Sequence, residues 1–296
     1  MPTLKRGSLF DPALVEDLVS KVQGHSSVAA LSKQTPIPFN GQKEFTFSMD
    51  KEIDIVAESG KKSEGGITVE PITILPIKFE YGARISDEFL LASEEEKIEI
   101  LKAFNDGFAK KASRGLDLAS FHGVNPRTGQ PSAVVNGNSF DDKVTQKVTY
   151  TSDDPEANLQ AASDLVQGSG FNMNGMAFAP AFSSALGNLK VNGIRQYPQF
   201  MFGANPGDLN GMKVDVNSTV AEMSTEKDVA IIGDFANMFK WGYAKQIPLQ
   251  IIQYGDPDNT GRDLAGHNEI YIRSELYLGW GIMAPNAFAR IAEAEA

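Results

Sequence analysis

Residues 93–123 read SEEEKIEILKAFNDGFAKKASRGLDLASFHG, and the rest of the chain is best understood outward from this stretch. Ser93 and Glu96 make a capping box, in which the hydroxyl takes a first-turn amide and the glutamate reaches back to the serine N–H. Apolar residues follow at Ile98, Leu101, Phe104, Phe108, Ala112, Leu116 and Ala119, at spacings of three and four that predict one helix. Glutamates crowd its start, and Lys110, Lys111 and Arg114 crowd its later turns, as the helix dipole favours. About 27 residues give a rod of roughly 40 Å. Gly123 ends it, and Asn125-Pro-Arg-Thr-Gly129 turns the chain.

Upstream, residues 43–82 read as a long β-hairpin. Phe45, Phe47 and Met49 alternate with Thr46 and Ser48; Ile67 and Val69, Ile72 and Ile74, then Ile77, Phe79 and Tyr81 keep the same period of two. A polar, glycine-rich turn runs from Glu58 to Gly66 and carries Lys61, Lys62 and Glu64. Arms of about a dozen residues reach roughly 40 Å. Pro71 and Pro76 each remove a ladder donor, so at least one strand is an edge. A two-stranded hairpin of this kind is not stable alone, so the expectation is that it lies on another molecule. Residues 1 to about 40 read as an extended arm. It holds one or two helical turns at Val15–Val22, opened by Asp11-Pro12, and a Thr35-Pro-Ile-Pro38 stretch in which two prolines exclude helix.

Downstream, Val144, Val148 and Tyr150 predict a short strand within 140–151, and Asp154-Pro155 opens a second helix stopped by Gly168 and Gly170. Met176–Ala179 reads as a buried strand, and Pro180 starts a third helix through Leu186 and Leu189. A loop-rich stretch spans 192–210. Strands are expected at 211–216, 229–233, 247–254 and 270–282. The layout is α+β, with no alternation of strand and helix.

The chain has 296 residues, enough for about two domains, with 42 % hydrophobic and 22 % charged residues. Lys plus Arg total 27 against 38 Asp plus Glu, a net charge of −11, and no basic stripe is present. Tight nucleic-acid binding and membrane-surface binding are therefore both unsupported. The absence of cysteine removes disulfides and thiolate metal sites. The start, MPTLKRGSLFDP, has no signal-like apolar core, and no run approaches a membrane span.

No catalytic, cofactor or metal site is expected. His25, His122 and His267 are scattered, without ligand spacing, and read as solvated or locally hydrogen-bonded. Gly24-His-Ser-Ser-Val28 resembles a nucleophile elbow but lacks the second glycine. Gly168-Ser-Gly170 has no third glycine at the dinucleotide spacing and reads as a helix stop. Asp256, Asp258 and Thr260 with Gly261 match the first, third, fifth and sixth places of a calcium loop. The twelfth place is His267 instead of glutamate, so an aspartate-rich turn is the expectation. Glu58, Lys61, Lys62 and Glu64 read as an exposed hairpin tip and mark the candidate inter-subunit contact.

The order of arm, projecting hairpin, long helix, middle domain and returning strands resembles the Hong Kong 97-type major capsid proteins of tailed bacteriophages. Tyr81-Gly-Ala-Arg-Ile-Ser-Asp-Glu-Phe89 is similar to that family's entry into its spine helix, and Arg114 through Gly129 to the helix end and its glycine loop. Leu209–Val214, Ala230–Phe235 and Asn286-Ala-Phe288 are similar to its later signatures. The resemblance runs from about residue 25 to 291. It implies an N-terminal arm at 1–42, an E-loop hairpin at 43–82, a peripheral domain with the spine helix at 83–152 and 251–296, and an axial domain at 153–250. It also implies a structural, non-enzymatic subunit of the virion, assembled in the host cytoplasm into hexamers and pentamers of an icosahedral head around double-stranded DNA. The implied partners are further copies of the chain, a scaffolding protein, a portal and, as an option, a decoration protein, with packaged DNA not tightly bound. Many relatives carry a long scaffolding segment ahead of the arm; Met1 favours a separate scaffolding protein here. Some relatives join an E-loop lysine to a neighbour's asparagine. Lys61 and Lys62 sit at that place, but no suitable asparagine is identifiable, so a non-covalent shell is expected. An encapsulin-like compartment shares the fold, and DNA or enzyme cargo in the purified shell would separate the two.

Overall fold

The computed structural model describes residues 26–294, apart from 136 and 225. The turns expected at Val15–Val22, and His25, lie outside the described residues. The expected long helix, here α2, spans Glu94–His122 and has its capping box in place: Ser93 Oγ accepts from Glu96 N–H at 3.3 Å and Glu96 Oε2 accepts from Ser93 N–H at 3.1 Å. Gly123 closes it in the left-handed region, φ 66°, where a side chain is disfavoured. Its apolar stripe meets the core only in the second half, at Phe108, Ala109, Ala112, Leu116 and Ala119, whereas Ile98 is 62 % exposed.

The stretch read as arm does not stand off over its described part. A short helix α1, Ser27–Leu31, is buried, and residues 34–37 run beside a long strand of the body. The hairpin is β1, Gln42–Met49, paired antiparallel with β2, Ile67–Ile74. It is shorter than its sequence suggests. Pro76 interrupts the ladder, and β3, Ile77–Ser86, leaves the hairpin to pair with a strand nearly two hundred residues later. The period of two continues through the break because both ribbon and sheet need it.

After α2 come α3, Phe140–Lys143, and β4, Lys147–Thr149, where one strand was expected. Then follow α4, Pro155–Gly168; β5, Gly175–Phe178; and α5, Pro180–Asn188. The loop-rich stretch contains short pairs, β6, Lys190–Val191, with β7, Ile194–Arg195, and β8, Asp208–Leu209, beside β9, Met212–Val216. The last elements are β10, Asp228–Gly233; α6, Phe235–Met238; β11, Phe239–Ile252; β12, Glu269–Ile282; and β13, Phe288–Ala292.

Two sheets organise these elements. The order β11-β12-β3 packs on the buried half of α2, with Trp241, Leu276, Leu278 and Trp280 in its core. The order β4-β13-β10-β5-β9-β8 carries α4 and α5 over a second core of Phe178, Phe182, Leu186 and Ile232. Sheet membership cuts across the domain limits expected from sequence. Strand β13 joins the second sheet, where all five residues are buried, and β11 crosses residue 250 without a break.

Candidate functional site

In an antiparallel ribbon, directly paired residues share a face. Phe45 pairs with Pro71, Phe47 with Val69 and Met49 with Ile67, so all six lie on one face of β1–β2. That face is open to water: Phe45, Phe47, Met49, Ile67 and Val69 are 65, 57, 67, 64 and 52 % exposed. The opposite face anchors the root. Ile74 is buried against Ile37 and Met283, and Lys240 Nζ meets Glu44 at 2.9 Å. The ribbon is thus held at one end and uncovered along its apolar side.

The predicted tip residues lie in the loop beyond the ribbon. Glu58, Lys61, Lys62 and Glu64 are all exposed, and Lys51 Nζ donates to the Glu64 carbonyl at 3.2 Å. The loop also carries Ile53 and Ile55, 91 and 97 % exposed. Sequence reading stressed the charged tip and missed these two, although their alternation with Glu52 and Asp54 was the available signal.

The weighed catalytic and metal motifs resolve into structural pins. Ser26 of the elbow-like stretch donates to the buried Asp117 carboxylate at 2.5 Å. Ser27 N, Thr219 Oγ1, Asn217 Nδ2 and Val28 N also donate to it, at 2.9, 2.8, 3.2 and 3.3 Å. Burial raises the Asp117 pKa to about 6 in spite of these donors. Ser26 is the N-cap of α1 through Ala29 N, and Asp117 takes the two amides before that one as a second, distant cap. Asp256, Asp258 and Thr260, the calcium-like oxygens, all face Arg84: its Nη2 lies 2.7 Å from Asp256 and Thr260, and its Nε 2.9 Å from Asp258. A guanidinium occupies the place a cation would take, and its hydrogen bonds hold the Asp258 pKa down at about 2.

His122, Asp141 and Asp228 offer ligand atoms within 4.8 Å of one another. Arg290, fully buried, reaches Asp141 at 2.7 Å and Asp228 at 2.8 Å, and brings a permanent positive charge to the cluster. His122 is satisfied by Asp141 at 3.1 Å and the Thr219 carbonyl at 3.0 Å. Burial raises the Asp228 pKa against the pull of Arg290. Burial acts the same way on Asp141, but hydrogen bonding to His122 and the charges of His122 and Arg290 outweigh it and lower that pKa. His267 is exposed beside the Asp263 carbonyl. Gly168 ends α4 and Gly170 takes φ 83°, a helix stop.

The structure thus presents an anchored ribbon with an uncovered apolar face, on a body whose buried carboxylates are hydrogen-bonded within the chain. A solved structure from Mycobacterium phage Ogopogo is 31 % identical, with a TM-score of 0.78, covering 91 % of this chain and 92 % of that one. One from Gordonia phage Cozz is 25 % identical, TM-score 0.75, covering 92 % and 87 %. A third, described as the capsid of a native GTA particle computed with C5 symmetry, shares the fold at 14 % identity, TM-score 0.61, covering 91 % and 90 %. No family model matches the sequence, and no curated protein matches it. The chain belongs to the phage major capsid protein family. It is a structural protein of the phage head.

Proposed function

We propose that the chain is the shell subunit that self-assembles into hexamers and pentamers of an icosahedral head enclosing double-stranded DNA. The exposed apolar face of β1–β2 carries this reading. Fully burying one large apolar side chain is worth about 1.5–3 kcal/mol, and these are half covered already, so five contribute on the order of 5 kcal/mol. Association costs roughly 4–15 kcal/mol. One such contact is therefore weak alone, and assemblies in which every copy both gives and receives a ribbon are favoured. On this reading β1–β2 with its loop is the E-loop, α2 the spine helix, β3, β11 and β12 the peripheral domain, and the six-stranded sheet with α4 and α5 the axial domain. The described residues ahead of 42 belong to the arm. Glu58, Lys61, Lys62 and Glu64 meet a neighbour at the tip. The net charge of −11 opposes DNA condensation by the coat, so filling is driven from outside it, through a portal. A scaffolding protein guides assembly and a decoration protein is an optional addition. The phage origin of the similar structures does not favour the compartment reading.

The test is deletion of residues 54–68, scored by circular dichroism and negative-stain microscopy alongside the intact chain with and without scaffold. The expected result is a folded subunit that no longer forms shells. A compact monomer of the intact chain under every condition, or a deletion that abolishes folding itself, refutes the reading.

A further inference from the structure

Residues 51–56, Lys-Glu-Ile-Asp-Ile-Val, have the alternation and β-branched content of a strand, yet no strand among the described residues pairs with them. Ile53 and Ile55 alternate with Glu52 and Asp54 and are among the most exposed apolar residues described. The ladder is stopped just before it. The last pair is Met49 with Ile67, and the Asp50 carboxylate then takes the Gly66 N–H at 2.6 Å. The chain opposite, Gly-Lys-Lys-Ser-Glu-Gly-Gly66, is poor in strand formers.

The body offers a matching vacancy in its sheet order. Strand β3 is an edge of the three-stranded sheet, paired with β12 over ten residues from Ile77↔Leu278 to Ser86↔Glu269 with no register shift and no proline. Edge strands are normally blunted by bulges, prolines or a covering segment. The opposite edge, β11, shows all three: residues 34–37 cover its first half, Pro248 lies in its second half, and its pairing with β12 shifts twice. Strand β3 has none of these three among the described residues; it carries Lys78 and Glu80, and Lys78 is held on Glu275 of β12 at 2.7 Å.

We infer that residues 51–56 of one copy add as a fourth strand to the outer edge of β3 in a neighbouring copy. The inference rests on the shell reading above and names the partner of its loop. The donor must be a second copy. Eight ribbon residues at about 3.3 Å each hold the loop roughly 26 Å from the ribbon root, which is where β3 of the same chain begins. Main-chain hydrogen bonds supply the pairing, and Ile53 and Ile55 supply the apolar side of the added strand.

Because the chain has no cysteine, engineered pairs report without background. Subunits carrying Ile55→Cys are co-assembled with subunits carrying Lys78→Cys, Glu80→Cys or Ser86→Cys, oxidised, and run on a non-reducing denaturing gel. Val134→Cys, at a site 69 % exposed elsewhere on the surface, serves as the control partner. Hydrogen exchange of β3 is compared between free subunits and particles. The expected results are a disulfide-linked dimer with at least one β3 position and not with Val134→Cys, and outward β3 amides that slow roughly tenfold or more on assembly. Particles that form without cross-link and without added β3 protection overturn the strand pairing and leave the shell reading standing. A wild-type chain that never assembles takes both down.

Discussion

Asp117→Ala tests how far the distant cap holds the body together. The substitution strips the acceptor from Ser26 Oγ, Ser27 N, Val28 N and Thr219 Oγ1, all in buried residues. A buried donor left without a partner costs about 1–3 kcal/mol, so four cost about 8 kcal/mol. Against this, the variant no longer buries a carboxylate. The pKa shift from 3.8 to about 6 corresponds to roughly 3 kcal/mol disfavouring the ionised form. Lost hydrogen bonds win, and the net destabilisation at pH 7.5 is about 5 kcal/mol. The folded-state pKa lies above the unfolded one. The native state therefore binds the extra proton between about pH 4 and 6, and this group's stabilisation is present at low pH and lost as pH rises through 6. At pH 5 the wild type holds about 1 kcal/mol of that contribution, so the variant's deficit is larger there by the same amount. Urea unfolding of the unassembled subunit reads this directly, because the only two tryptophans, Trp241 and Trp280, are buried in the core that α1 also enters. A loss below about 1 kcal/mol, or a deficit that does not grow from pH 7.5 to pH 5, refutes the reasoning.

Three further outcomes are expected. Arg290→Met leaves Asp228 and Asp141 buried without their counter-charge and destabilises by about 3–5 kcal/mol in the same unfolding assay. Gly242→Ala places a Cβ 1.6 Å from the Thr35 carbonyl oxygen, which forces residues 34–37 off β11; proteolysis within 26–38 should accelerate while the remaining body stays folded. Boiled mature particles should run as a single band at the mass of one chain; a ladder abolished by Lys61→Ala or Lys62→Ala would show a covalent shell.

Local signals carried much of the architecture. The Ser93–Glu96 box, Gly123, Asp154-Pro155 and Pro180 each fix an end of a helix through groups within four residues, and each is legible for that reason. The ribbon was legible as alternation, but its end was not. The same period of two serves a projecting ribbon and an edge strand, and only the β3–β12 pairing across nearly two hundred residues separates them. Strand β13 was missed because a five-residue segment buried on both sides reads Phe-Ala-Arg-Ile-Ala, without alternation and with an arginine at its centre. That arginine is explained only by Asp228 and Asp141, which lie 62 and 149 residues away. The unpaired isoleucines of the loop had a signal, alternation, that charge-based reading passed over.

The aspartate loop shows why motif spacing alone was a poor guide to chemistry in this chain. Oxygens at the first, third and fifth places and glycine at the sixth form a turn that gathers carboxylates around one point, and the geometry is indifferent to what neutralises them. Here Gly261 takes φ 81°, Thr260 N and Gly261 N close on Asp256, and the gathered oxygens meet the Arg84 guanidinium of β3. Glu269 at the start of β12 completes the ring around the same side chain at 2.9 Å. Arg84 donates to all of these at once and needs no twelfth-place glutamate, which accounts for His267 standing there free to bond a carbonyl instead. The loop therefore ties the far end of β3 to β12 through the Arg84 side chain.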